Sequence, residues 1–209
     1  MATPASLEYA EEFVPEDDIL LSARRRGIEV GAHPILPGCG AALCFLATAV
    51  HARSVVEVGT GCGVSGLWLL RGMRPDGTLT SVDVEREHQR MARQAFAEAG
   101  FSGSRIRLIG GLALDVLPRL ADGGYDLVFC DAAKQEYIDY LTESVRLLRA
   151  GGVVAFRNAF WHDQVADPTR RDPDTVAMRE LGKLVRNDDR LRPLLLPLGD
   201  GLLAAIKLG

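Results

Sequence analysis

Val55-Val56-Glu57-Val58-Gly59-Thr60-Gly61-Cys62-Gly63-Val64-Ser65-Gly66 is the stretch of this 209-residue chain that decides its fold. A short apolar run ends at Gly59, a glycine-dense turn follows, and residues 64–73 leave it as a helix. Glycines let the backbone turn sharply and let a ligand sit against bare main chain. The free N–H groups at the helix start favour electron-rich ligand atoms.

Two ligand classes compete for this turn. Gly61-x-Gly63-x-x-Gly66 formally matches the dinucleotide fingerprint, and Asp83 follows about twenty residues later. The detail disagrees, because the dinucleotide version sets its first glycine directly after the strand. Counted from Gly59 and Gly61, Val64 falls where the third Gly or Ala belongs. Glu57, inside the strand, also repels a pyrophosphate. A ligand with a cationic amino-acid end and no phosphate suits that acid far better, and S-adenosylmethionine (SAM) is such a ligand. Asp83, closing the next strand, can accept hydrogen bonds from both ribose hydroxyls. The bland alternative makes Glu57 a salt-bridged strand-end acid and the glycines a mere turn. Glu57, the glycines, Asp83 and the pattern of the chain's tail together outweigh it.

Outward from the turn, β-branched runs alternate with helical stretches, which predicts a parallel sheet covered on both faces. Strands are expected at 54–58, 78–84, 105–109, 125–130 and 153–157. Helices are expected at 64–73, 86–99, 112–120, 137–148 and 175–187. The tail changes pattern: runs at 194–196 and 202–207 flank Pro197-Leu198-Gly199-Asp200-Gly201, which reads as an antiparallel hairpin. Upstream, 7–26 reads as one helix carrying Arg24-Arg25-Arg26, a basic cluster expected to be a solvated helix end. A second helix is expected at 40–51, after the stiff stretch His33-Pro34-Ile35-Leu36-Pro37.

Composition narrows the class. At about 150 residues per domain, 209 residues predict one domain, with a helical cap segment at 1–52 and a core at 53–209. Hydrophobic residues at 47% and charged ones at 25% are ordinary globular values. Lys and Arg number 24 against 28 Asp and Glu, so a net charge of -4 gives no electrostatic case for nucleic acid. The longest apolar run, 41–50, is about half a membrane span. The start, Met1-Ala2-Thr3-Pro4, lacks the basic and apolar parts of a signal peptide, so a cytoplasmic protein without membrane partners is expected. Cys39, Cys44, Cys62 and Cys130 show no CxxC spacing and read as free thiols.

From about Ile35 to Lys207 the chain resembles the class I SAM-dependent methyltransferases, and within them the caffeoyl-CoA/catechol O-methyltransferase-like family (O-methyltransferase family 3). Glu57-x-Gly59-Thr60-x-x-Gly63-x-Ser65 matches that family's strand-one turn, and Thr80-Ser81-Val82-Asp83 its ribose-binding strand end. Gly111-Leu112-Ala113 matches its Gly-x-Ala segment. Phe129-Cys130-Asp131-Ala132-Ala133-Lys134-x-x-Tyr137-x-x-Tyr140 matches F-x-D-A-x-K-x-x-Y-x-x-Y, and Leu147-Leu148-Arg149-Ala150-Gly151-Gly152 matches LL-x-x-GG. The resemblance implies a Rossmann-like α/β fold: a mostly parallel seven-stranded sheet ending in an antiparallel hairpin, with helices on both faces. It implies a SAM-dependent O-methyltransferase acting on a small, phenolic or catechol-like acceptor, and a homodimer. Ile35 would line the SAM pocket. Glu57, Gly59, Thr60, Gly61, Gly63 and Ser65 would hold the methionine end. Asp83 would hold the ribose, with Val84 and Ala113 beside the adenine. Asp131, Ala133 and Tyr140 align with further SAM-contacting positions. Lys134 aligns with the family's base, and Asp131, Asn158 and Trp161 would face the acceptor.

One departure stands out. Arg157-Asn158-Ala159-Phe160-Trp161 occupies the place of the family's D-N-x-L-W. The family binds a divalent cation through two Asp and one Asn; here Asp131 and Asn158 remain and the second Asp is Arg157. A guanidinium cannot ligate a cation and adds a permanent positive charge. Mg²⁺ binding should be severely weakened, so no metal site is assigned beyond the remnant Asp131 and Asn158. Two readings of Arg157 stay open. It stands in for the cation, pairing with Asp131 and stabilising an acceptor oxyanion, or its long side chain reaches solvent. For Lys134, the rival to a catalytic base is a salt bridge with Glu136 or Asp139. His162 reads as a surface residue near the acceptor, and His33 and His51 as local structural residues. The rival functions are a non-catalytic SAM-binding protein, an NAD-dependent oxidoreductase and, disfavoured by charge, an RNA methyltransferase.

Overall fold

The run at the centre of the sequence folds as β1 (Ser54–Val58), and its register places the rest. β2 (Thr78–Asp83) and β4 (Tyr125–Cys130) lie parallel on either side of it. β3 (Ile106–Gly110) pairs with β2, and β5 (Leu148–Arg157) with β4, again parallel. The tail supplies β6 (Leu191–Leu196) and β7 (Leu202–Lys207), with β7 antiparallel to both β5 and β6. The sheet order is β3-β2-β1-β4-β5-β7-β6, the expected parallel sheet closed by a hairpin. This computed structural model describes residues 3–209; Met1 and Ala2, the start of the expected cap segment, lie outside the described residues.

Side chains alternate across the strands, so each strand feeds two apolar layers. Val55, Leu127, Phe129, Val153 and Ala155 pack toward α2 (Asp18–Glu29), α3 (Pro37–Ala49), α4 (Val64–Gly72) and α5 (Arg86–Glu98). Val56, Val58, Val128, Val154 and Phe156 pack toward α6 (Ala113–Val116), α7 (Tyr137–Leu147) and α8 (Pro173–Asn187). Burial on both faces is why these strands read as continuous apolar runs. Strand order reverses between β1 and β4, and in parallel sheets such a switch point opens a crevice at the strands' carboxyl ends.

Several expected boundaries move, each for a local reason. The expected helix 7–26 is two helices, α1 (Pro4–Glu12) and α2. Pro15 disfavours helical backbone at Val14, and Asp17 caps a fresh start by accepting from Leu20 N at 3.0 Å. The expected helix 40–51 begins at Pro37, which suits a first helical position, and ends at Ala49. The helix at 112–120 shrinks to α6 and a 3₁₀ turn at Leu117–Arg119, because Pro118 has no N–H to continue it. β5 starts at Leu148 and not at 153, taking Gly151 and Gly152 into the strand opposite a register shift at Tyr125/Leu127. β6 starts at Leu191, ahead of the expected 194.

The basic cluster is also not a plain solvated end. Arg26 pairs with Glu98 of α5 at 2.9 Å. Arg24 turns inward: its Nη2 meets Glu16 Oε1 at 2.6 Å and the Ile35 carbonyl at 2.6 Å. The Glu16 side chain is 2% exposed and also accepts from Trp68 Nε1 at 3.4 Å. No helix among the described residues is long and apolar enough to cross a membrane.

Removing Arg24 leaves Glu16 an unpaired buried charge, and such breakage costs several kcal/mol. Arg24→Met is expected to lower the unfolding free energy by about 3 kcal/mol or more in urea titration. A loss under about 1 kcal/mol, typical of a surface pair, would show that this bridge does not anchor the N-terminal helices.

Candidate active site

The glycine turn is built by close backbone approach. Gly59 has φ +94°, and a Cβ there would lie 2.1 Å from the Asp131 carbonyl oxygen. Gly59 N donates to Val82 O and Asp131 N to Val58 O, both at 2.8 Å, so the loops after β1 and β4 leave the sheet stitched together. Gly63, at φ +91°, is the left-handed residue that starts α4. The cleft above these loops encloses about 850 Å³, ample for a nucleoside-sized ligand with a small partner.

One end of the cleft carries the turn. Gly59, Thr60, Gly61, Ser65, Asp83 and Ile35 all line the cleft. Asp83 accepts from Gly61 N at 2.9 Å and from Glu85 N at 2.8 Å, which fixes its carboxylate at the rim. Glu57 stands one layer behind and does not line the cleft. It is fully buried and sits opposite Ser81 in the β1–β2 register. Ser65 Oγ donates to its Oε1 at 2.6 Å, Ser81 Oγ donates to its Oε2, and Ser81 Oγ meets Thr60 Oγ1 at 2.7 Å. Burial pushes the Glu57 pKa up to about 7, against the pull of the two serine hydrogen bonds.

The other end is a charge cluster. Arg157 Nη1 lies 2.7 Å from Asp131 Oδ2, so this guanidinium does not reach out to solvent. The same guanidinium donates to the His33 and Pro34 carbonyls of the segment roofing the cleft. Lys134 pairs with Asp131, not with Glu136 or Asp139: its Nζ is 3.2 Å from Asp131 Oδ1, 3.1 Å from Ala132 O and 2.7 Å from Tyr137 Oη. Burial lowers the Lys134 pKa and Arg157 adds to that, while Asp131 opposes both. Asn158, at φ +60°, donates its amide to Asp200 Oδ2 at 3.0 Å. Trp161 lines this end, its ring centroid 5.9 Å from Lys134 Nζ, and the His162 side chain is mostly exposed at the rim.

Some expected site residues are not brought to the cleft. Gly63, Val84, Ala113, Ala133 and Tyr140 do not line it. Val84 is exposed, Ala113 is buried, and Tyr140 donates its hydroxyl to Glu136. Burial pushes Cys39 and Cys130 up to about 12, far from a reactive thiolate. Conversely, sequence reading passed over Asp200, Tyr137 and the roof carbonyls. Asp200 sat in a segment read only as a hairpin turn, and backbone carbonyls leave no residue signal.

Comparison with known proteins shows the family. The O-methyltransferase family model matches residues 32–208. This chain belongs to the O-methyltransferase family. The Mycobacterium tuberculosis protein named "probable O-methyltransferase Rv1220c" is 53% identical over 199 residues, 95% of this chain and 89% of that protein. The crystal structure of the O-methyltransferase TomG from Streptomyces achromogenes, involved in tomaymycin synthesis and solved with SAM, superposes with a TM-score of 0.87 at 29% identity, covering 98% of this chain and 96% of that one. The Bacillus cereus O-methyltransferase, solved with S-adenosylhomocysteine (SAH), gives 0.86 at 26%, covering 98% and 97%. In this O-methyltransferase the donor set does not fit the cation implied by the family: Arg157 stands in the place of the second Asp, and its guanidinium lies 2.7 Å from Asp131 Oδ2. Among the described residues no group of three or more His, Cys, Asp and Glu is placed to hold a metal.

Glu57 titrates higher in the folded protein than at its ordinary 4.5, so its neutral form stabilises the fold at low pH, and that contribution is lost as pH rises through about 7. The unfolding free energy of the wild type minus that of Glu57→Gln is expected to fall by up to about 3 kcal/mol between pH 4.5 and 7. A difference that stays constant across this window would mean that Glu57 is not held protonated.

Proposed function

We propose that this chain transfers the methyl group of SAM to a hydroxyl oxygen of a small phenolic acceptor, with Arg157 in the place of a divalent cation. The observation that carries this reading is the Arg157–Asp131 pair facing, across one cleft, the glycine turn and Asp83. The residues at the turn end suit SAM. The Asp83 carboxylate can accept from ribose hydroxyls. Gly61, with no neighbour within 4 Å of where a Cβ would stand, leaves main chain open to a ligand. Glu57, behind the turn and tied to Ser65 and Ser81, fixes the loop that would meet the methionine end. When bound, SAM supplies a methyl group already activated on a sulfonium, which moves in line to the acceptor oxygen as the carbon–sulfur bond breaks and SAH remains.

The chain's own residues then position and stabilise. Trp161 walls an apolar ring at the acceptor end. Arg157 holds the oxyanion, a charge-assisted contact in a part-buried site. Lys134, its pKa lowered by burial, takes the acceptor proton. Alignment contributes most of the acceleration, up to about 7–11 kcal/mol in favourable cases.

SAM and SAH are expected to raise the melting temperature and NADH to leave it unchanged, and Asp83→Ala to abolish the rise. Radiolabelled SAM incubated with an acceptor panel is expected to label a phenolic hydroxyl equally with and without EDTA. Binding of SAM without transfer to any acceptor would leave a non-catalytic SAM-binding protein. Activity abolished by EDTA would refute metal independence. Lys134→Ala is expected to lower kcat by about 10²-fold or more and to remove the acid limb of the pH–rate profile; an unchanged profile would take Lys134 out of the reaction.

A further inference from the structure

Among the described residues, five other than glycine have left-handed backbone, and four of them fall in one stretch: Asn158 (φ +60°), Trp161 (φ +47°), His162 (φ +53°) and Asp163 (φ +62°). Three consecutive L-residues in this region, one of them a bulky aromatic, are disfavoured by their own Cβ contacts. Such a turn persists only where its surroundings hold it. Here the hairpin tip does so. Ala159 N donates to Gly201 O at 3.0 Å, and Phe160 N to Asp200 O at 2.9 Å. The Asp200 carboxylate then spans the left-handed stretch: Oδ2 accepts from the Asn158 amide at 3.0 Å, and Oδ1 from the His162 backbone N–H at 2.8 Å. Gly201 lets the two segments touch, since a Cβ there would lie 2.8 Å from Phe160 N.

An aspartate that serves only its own turn accepts from main-chain N–H groups a residue or two further on. Asp200 spends both side-chain oxygens outside its hairpin, on residues 158–163. The tip itself is held from the far side, where Gly199 N donates to Glu11 of α1. What the clamped turn presents is Trp161. This side chain lines the cleft, packs against the apolar layer under α7 and α8, and sets its ring centroid 5.9 Å from Lys134 Nζ. We propose that Asp200 is a positioning residue: by holding residues 158–163 in left-handed backbone, it fixes Trp161 as the wall of the acceptor end. The consequence for methyl transfer rests on the O-methyltransferase reading of the cleft; the clamp itself does not.

The test compares wild type with Asp200→Ala and Asp200→Asn. The Asn variant keeps an oxygen for the His162 N–H, and its amide can face the Asn158 side-chain oxygen once that amide turns over. In the wild type the His162 amide is expected to exchange slowly with solvent although its side chain is exposed. Asp200→Ala is expected to speed that exchange about tenfold or more, and Asp200→Asn to restore most of the protection. In a Trp68→Phe background, where Trp161 is the one tryptophan, Asp200→Ala is expected to raise acrylamide quenching about twofold or more. Methyl transfer is followed with whichever of phenol, catechol and caffeate the wild type labels fastest from radiolabelled SAM. Asp200→Ala is expected to raise KM for that acceptor about tenfold, with the SAH dissociation constant within about twofold of wild type. Fast exchange of His162 in the wild type, unchanged exchange and quenching in Asp200→Ala, an Asn variant no better than Ala, or an equal loss of SAH affinity would overturn the proposal. A wild type that labels none of the three acceptors, or does not bind SAH, contradicts the parent reading, and the exchange and quenching results still decide the role of Asp200.

Discussion

The contact on which the rest depends is backbone against backbone: Gly59 pressed on the Asp131 carbonyl, with no room for a side chain between them. Parallel strands bring loops to one edge of a sheet, but they do not by themselves bring those loops into register. Here the ladder runs one residue past each strand, through Gly59 N to Val82 O and Asp131 N to Val58 O. The turn after β1, the end of β2 and the loop after β4 therefore share one rigid floor. In the proposed reaction that floor fixes the distance between donor and acceptor, the quantity on which an in-line displacement depends.

Beneath the floor lies a buried acid, and above it an ion pair. Glu57 has both oxygens tied to serines from two elements, which locks the turn's underside without exposing a charge to solvent. Arg157 does the corresponding work at the roof. By holding Asp131 and two carbonyls of residues 33–34 at once, it joins the N-terminal segment to the acceptor end. A carboxylate at this position would have repelled Asp131 and left those carbonyls without a donor. The single exchange of acid for guanidinium thus changes both the chemistry of the site and what closes it.

Much of this was legible before any coordinate. Alternating apolar runs gave the five parallel strands, and Gly-Asp-Gly between apolar runs gave the hairpin. The glycine turn and Asp83 fell at one end of the cleft because strand-end residues are forced there by topology. Other features escaped because they are set by tertiary contact. Pro15 was visible, yet one helix was read through it; the inward turn of Arg24 depends on Glu16, whose burial no local pattern reveals. Glu57 was singled out as the acid for the methionine end; it lies behind the turn, and residue type alone does not say that two serines would cover it. Tyr140 and Ala113 were placed by motif; both are buried, and neither lines the cleft.

A crystal structure of the SAH complex grown with millimolar Mg²⁺ tests the central claim most directly. The account predicts ribose hydroxyls on the Asp83 carboxylate, the sulfur facing Asp131, and the Arg157–Asp131 pair intact with no cation beside it. Ribose density elsewhere, or an octahedral ion bound between Asp131 and Asn158 with Arg157 displaced, would contradict it.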